Sequence, residues 1–341
     1  MKIRTSRFFR PAFRCEAIVL LALLIILFPA VRSSGQEAAV DASTVVEALV
    51  ANLNLSLQRD GFVPGNVEGS ASVSMSGSAH YNVPLVAAPG TGGMSPRLFL
   101  TYDSGALGQT LGLGWSLAGL SSINPVNKTF AIDGLVEGID FDANDGLALD
   151  GARLVPAPEA GSNLLSKLSD DQTRVARVDG GFRAQTKSGL TMVYGIRSDA
   201  RVTTADGKIL AWLCESVTDT FGNSMEFFYR QNGRGDWGLD RVEYTSNANT
   251  VPPLEPYAVF TVLYAEQGSP HYLPPGQARV SYIAGQRVEQ DLVVLGFESR
   301  VDGLLHRKYE LDYERTDRLG IRRLTSISEV GAYGSASRPR C

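Results

Sequence analysis

Cysteine, histidine, basic clusters and helical periodicity are all scarce in this 341-residue chain, and each scarcity excludes something. The three cysteines, Cys15, Cys214 and Cys341, form no pair at short spacing. The three histidines, His80, His271 and His306, form no pair at helical spacing, so neither common kind of zinc site is available. A single Cys214–Cys341 disulfide is allowed in an exported setting, but nothing in the spacing demands it. No G-x-x-x-x-G-K-[ST] occurs, and neither Gly92-Gly93 nor the run from Gly108 to Gly114 fits G-x-G-x-x-G before a helix. A phosphate-cradling loop is therefore unsupported, and no cofactor is expected. Beyond residue 35, basic residues cluster only at Arg322-Arg323 and Arg338 to Arg340. There, 26 Lys and Arg stand against 35 Asp and Glu, a net charge of −9 that argues against a nucleic-acid partner.

What is present begins with an export signal. Lys2, Arg4, Arg7, Arg10 and Arg14 make a basic leader, and the apolar run from Ala17 to Phe28 ends at Pro29. The run falls short of the roughly 20 residues a spanning helix needs. Ser33, Ser34 and Gly35 offer a cleavage site, so residues 1–35 read as a signal peptide and the product as secreted, with periplasm or cell surface as further destinations. An uncleaved anchor is the alternative, and the membrane enters only through this segment. Residues 36–68 read as a short helix and linker. Thr44 and Glu47 fit a capping box ahead of a stripe of Val45, Val46, Leu49, Val50 and Leu53.

From Gly69 onward the period is two. Ala71, Val73 and Met75 alternate with Ser70, Ser72, Ser74 and Ser76, which predicts one apolar and one hydroxyl-lined face. Leu98, Leu100 and Tyr102 form a second such set, and Met225 to Tyr229, Val242 to Tyr244, Phe260 to Tyr264 and Tyr309 to Tyr313 repeat the pattern. Asp206-Gly207, Phe221-Gly222-Asn223 and Asp302-Gly303 supply turn residues between them. The fold class is all-β: antiparallel hairpins in an extended or sandwich-like sheet, with a short N-terminal helix.

Three patterns come near known chemistry. Gly114-Trp115-Ser116-Leu117-Ala118 approaches a nucleophile elbow, but its surroundings are glycine-rich rather than strand-then-helix, which favours Trp115 as a core anchor. Asp140, Asp142 and Asn144 place oxygens on alternate residues, as Ca²⁺ loops do. Asp145 and Gly151, however, stand where an EF-hand needs Gly and Glu. Third, Trp212, Trp237 and Tyr244 would favour carbohydrate binding if exposed together in a groove.

The segment PGTGGMSPRLFLTYDS followed by LGLGWSLAGLSSI, residues 89–104 and 111–123, resembles the signature of the Salmonella virulence-plasmid B (SpvB) family. That module also begins Tc-toxin B subunits and many Rhs/YD-repeat proteins. The resemblance continues through Leu149-Asp150-Gly151, Lys187 to Gly195, Trp212 to Tyr229 and Arg323 to Ile327, and so covers about residues 69–330. Its signature positions here are Pro89, Gly90, Gly92, Gly93, Pro96, Tyr102, Gly112, Gly114, Trp115, Leu117, Gly119, Asp150, Gly151, Asp219, Gly222 and Asn223. It implies a non-catalytic scaffold of an exported, virulence-related toxin shell. The implied partners are other toxin-complex subunits or a C-terminal Rhs or toxin region, of which residues 331–341 are read as the truncated start. A surface module that binds carbohydrate or envelope is the alternative, and a hydrolase a remote one. The E-x-E motif of the ADP-ribosyltransferase domain that some members carry is absent from this chain.

Overall fold

The computed structural model describes residues 67–106, 110–157, 164–168, 173–274, 277–315 and 321–331. The expected signal peptide, the helix with Thr44 and Glu47, and Cys341 lie outside these residues. Among the described residues nearly every element is an antiparallel strand. β1 (Ser70–Val73), β2 (Ala79–Leu85), β3 (Leu98–Asp103) and β4 (Trp115–Ala118) form a small sheet in that order. Val83, Leu85, Leu98, Leu100 and Trp115 lie on its buried face.

The expected apolar face of β1 does not behave as predicted. All four of its residues are exposed, and Met75 lies beyond the strand, fully exposed. β1 pairs only with β2, and among the described residues nothing packs over it, so alternation here does not report burial.

Seven strands then follow in a meander: β5 (Ser122–Val126), β6 (Gly146–Leu149), β7 (Ala152–Pro156), β8 (Leu164–Lys167), β9 (Arg174–Val178), β10 (Gly181–Gln185) and β11 (Thr191–Tyr194). A one-turn helix, α1 (Phe130–Asp133), sits between β5 and β6. After the short β12 (Arg201–Thr203), the ten-residue β13 (Ile209–Thr218) pairs with both ends of the meander. Trp212 and Leu213 face Ile123 and Ser122 of β5, while Cys214 to Thr218 face β11. The ring closes, giving an eight-strand antiparallel barrel. Its register puts Leu147, Leu149, Leu154, Val175, Phe182, Ala184, Tyr194 and Cys214 on one buried face, whereas Arg183 and Gln185 on the other are exposed. An eight-strand barrel is just wide enough for side chains to fill, which matches this apolar interior.

The sheet does not end at the barrel. β13 also pairs with β14 (Asn223–Gln231), and the order continues through β15 (Trp237–Asn247), β16 (Ala258–Tyr264), β19 (Val294–Val301), β20 (Leu304–Arg315) and β21 (Arg322–Gly331). A separate hairpin, β17 (Arg279–Ile283) and β18 (Gln286–Gln290), is inserted between β16 and β19. The expected extended sheet is thus present, and part of it rolls shut. One contiguous apolar cluster runs through the small sheet, the barrel and the meander.

Candidate functional site

Most signature residues converge on one face of the open meander β14, β15, β16, β19, β20 and β21 that runs on from the barrel. The loop between β2 and β3, residues 86–97, crosses its strands one after another. The Val86 N–H donates to Tyr309 Oη of β20 at 3.0 Å. The Ala88 N–H donates to Ser299 Oγ of β19 at 2.9 Å, and Tyr244 Oη of β15 donates to the Ala88 carbonyl at 2.9 Å. Further along, Thr91 Oγ1 lies 3.4 Å from Tyr257 Oη. Gly92, at φ 62°, sits so that an added Cβ would lie 3.0 Å from Asn223 Nδ2 and 3.8 Å from Asp219 Oδ2. The loop therefore runs as a strap from β20 to the start of β14. It brings Pro89–Pro96 against Asp219-Gly222-Asn223, two signature blocks more than 120 residues apart in sequence.

The far end of the strap meets a closed polar turn. Asp219 Oδ1 accepts the N–H groups of Phe221 at 2.8 Å and Asn223 at 2.9 Å, and Oδ2 accepts Asn223 Nδ2 at 2.8 Å. Partial burial alone would push this carboxyl up. The Asn223 amide and the neighbouring N–H groups outweigh it and hold Asp219 below the usual carboxylate range. Asn247 Nδ2 then donates to Asn223 Oδ1 at 2.8 Å. Gly222, at φ 87°, has no room for a Cβ beside Asn249.

The second half of the signature fastens the sheet's return. The Leu113 N–H donates to the Arg322 carbonyl of β21 at 2.9 Å, and the Val294 N–H of β19 to the Thr110 carbonyl at 3.1 Å. At Gly114, φ 80°, an added Cβ would lie 2.6 Å from the Tyr102 ring. Trp115 is 4% exposed and meets Tyr102 at 5.4 Å and Tyr81 at 6.5 Å between ring centroids. Leu117 faces Leu100 across β3–β4, and Gly119 passes against the Arg97 carbonyl. Asp150 and Gly151 make the β6–β7 turn, and Asp150 accepts Ser121 Oγ and the Ser122 N–H, each at 2.9 Å.

The chemical patterns are placed differently. Ser116 lies mid-strand on β4, exposed, with its Oγ 2.8 Å from Thr101 Oγ1. β4 is followed by Gly119, Leu120 and β5 rather than a helix, so the elbow geometry is not formed. His80 faces Asp103 across β2–β3, but on the open face of a sheet rather than in a pocket with Ser116. Asp140, Asp142 and Asn144 lie in an exposed loop. Asp145 accepts the N–H groups of Asp140 and Asp142, and Asp142 that of Asn144, so these carboxylates cap the loop's own amides. Among the described residues, no group of three or more His, Cys, Asp or Glu is arranged to hold a metal.

Tyr244 is fully buried, Trp212 Nε1 donates to the Gly180 carbonyl, and Trp237 packs edge-on to Tyr229 at 5.8 Å. The exposed aromatic groove that carbohydrate binding would need is therefore not formed by these three. One small groove of about 190 Å³ lies between the β12–β13 turn and the β17–β18 hairpin, lined by Asp206, Arg234, Arg287 and Glu289 among others. That is below the size of typical small-molecule sites.

Sequence reasoning missed Ser299, Tyr309 and Tyr244 as holders of the strap. The signal available was an aromatic or hydroxyl residue on an otherwise aliphatic buried face.

These features define a class: an all-β module in which a closed barrel runs on into a longer open sheet and a glycine-rich strap fastens a small sheet across it. The family model of the Salmonella virulence plasmid 65kDa B protein, SpvB, matches residues 73–129 and 163–269. The structure is similar to the N-terminal domain of the effector SpvB from Salmonella typhimurium strain LT2, at 17% identity and a TM-score of 0.55. That similarity covers 73% of this chain and 99% of the other. It is also similar to TcdB2-TccC3, at 16% identity and a TM-score of 0.60, over 78% of this chain and 16% of that one. The Photorhabdus luminescens Tc holotoxin pore matches at 16% identity and a TM-score of 0.58, over 80% of this chain and again 16% of that one. The chain thus spans about one sixth of the length of the Tc proteins it matches. No curated protein sequence matches it. The chain thus matches the SpvB family model over these two stretches and has the fold of the SpvB N-terminal domain.

Proposed function

We propose that this chain is a non-catalytic wall and docking module of an exported, toxin-like assembly. The observation that carries the reading is the strap. Its bonds through Val86 and Ala88 are directed at the module's own strands, which supports a role in rigidity. A barrel continuous with a six-strand sheet is a sound wall element, because each strand is held by backbone bonds to its neighbours. In β1 and β21 it also presents strands with one partner strand each among the described residues, and such edges are ready to pair with further sheet.

The supporting likeness is to a Tc complex of TcdB2 with TccC3; here the expected partners are other toxin-complex subunits. Secretion rests on the leader at residues 1–35. The test is the native mass of the exported product from its own host. A stoichiometric complex with a toxin-bearing chain, or a longer product continuing past Cys341, supports the reading. A free, cooperatively folding monomer of residues 36–341 refutes it.

A further inference from the structure

The cations of this acidic chain are unevenly matched with acids. On the meander, Arg230, Arg241, Arg300, Arg307 and Lys308 each pair with a carboxylate. On the barrel, Arg174 of β9, Arg183 of β10 and Lys187 of the β10–β11 turn have no ion pair or side-chain hydrogen bond among the described residues. Arg183 and Lys187 are exposed and Arg174 is half-buried. Register brings the two arginines together. Arg174 lies opposite Gln185 and Arg183 opposite Ala176, so they are diagonal neighbours on one face. Such neighbours sit about 7–8 Å apart. The other face of the same strands carries Val175, Phe182 and Ala184, all buried in the barrel.

Arg174 also opens a row of uncharged polar side chains. Gln185 faces Thr191, Thr191 faces Thr218, Thr218 faces Ser224, and Ser224 faces Ser246. Each is exposed or half-buried. The row passes from barrel to meander over five strand spacings, about 24 Å in all. The acids around it are engaged or set apart. Glu226 pairs with Arg197 at 3.5 Å and Glu243 with Arg241 at 2.7 Å. Asp219 binds within its own turn on the strap side. Asp179 stands in the β9–β10 turn, at the far end of that hairpin from Lys187, and Asp170 and Asp171 lie outside the described residues.

We infer that this outer face binds an anionic polysaccharide, with its charged groups at Arg174, Arg183 and Lys187 and its sugar hydroxyls along the row from Gln185 to Ser246. A guanidinium fork matches the oxygens of an anionic group bidentately. Serine and threonine hydroxyls and the glutamine amide both donate and accept, as sugar hydroxyls require. An acidic protein would engage the cations and leave the row idle, whereas a charged glycan chain uses both. The inference goes beyond the wall-module reading and does not depend on it.

The test titrates the full chain with heparin oligosaccharides at about 0.05 M salt, with hydrogen exchange to locate the contact. Exchange should slow across residues 174–191 and 218–224 but not 286–290. The effect should fade towards about 0.5 M salt, as exposed charges are screened. Arg174→Ala with Arg183→Ala should raise the half-saturating concentration at this footprint at least tenfold. Arg300→Ala with Lys308→Ala, an equal change in net charge on the meander, should leave it within about twofold. Thr191→Val with Thr218→Val should weaken heparin severalfold and leave any binding of polyglutamate unchanged. All variants are compared at an unchanged circular dichroism spectrum. A footprint confined to the basic leader or to Arg338–Arg340, or none at all, overturns the inference. Polyglutamate binding as tightly as heparin, with the valine pair silent, also overturns it and gives the patch to an acidic protein.

Discussion

Ser299→Ala is the sharpest probe of the strap. Ser299 and Ala88 are each 1% exposed, and the serine hydroxyl is the acceptor for the Ala88 N–H at 2.9 Å. Removing it strands a buried donor where no water can replace the bond, which costs about 2 kcal/mol. For a domain of this size that lowers the melting temperature by about 4–8 °C. Tyr309→Phe removes a bond of nearly equal length, 3.0 Å, to the Val86 N–H. Val86, however, is 38% exposed, so water can take over and the loss stays below about 1 kcal/mol. The assay is paired thermal and urea unfolding of both variants, with hydrogen exchange at Ala88 as the local readout. Tyr244→Phe combined with Ser299→Ala should be non-additive, because both bonds hold the same residue. Equal shifts from Ser299→Ala and Tyr309→Phe, or no shift from the former, refute the reasoning that the strap is held by buried bonds.

Two further outcomes follow from burial. Cys214 is 2% exposed, and burial pushes its thiol far above the ordinary range. It should resist thiol reagents at neutral pH in the native chain and react only as urea unfolds the barrel. Asp236 accepts the N–H groups of Asp291 and Leu292 at 2.9 Å and of Trp237 at 3.1 Å. Burial nonetheless pushes its carboxyl up to about 6 from 3.8. Because the folded value is the raised one, its contribution to stability is full below about pH 4 and is lost as pH rises through about 6. Asp236→Asn should therefore unfold at a urea midpoint that changes less between about pH 4 and 7 than the parent's does.

Most strands were legible because one face of each is buried. Phe260, Val262 and Tyr264 alternate in sequence and alternate in burial, as β16 requires. Turns such as Asp302-Gly303 were legible because both residues take positive φ, at 47° and 76°. Ring closure was not. It depends on β13 being long enough to reach β5 with one half of an edge and to pair β11 along the other, and residue type does not encode that. The strap was half legible. Its glycines announce a close approach, but the partner of that approach, Asn223, lies far along the chain. In the β5–β6 loop, Phe130 and Val136 sit among turn residues with no period, so sequence pattern gave no reason to place them outward.

β13 is at once a stave of the barrel and the first strand of the meander. Any load applied at β21 and directed across the strands reaches the barrel through a single unbroken ladder of backbone bonds, with no linker to absorb it. Barrel and meander should accordingly yield together. Opening the ring at β13 would also free the edge on which β14 is built, so the barrel acts as the keystone of the sheet and not as an independent neighbour.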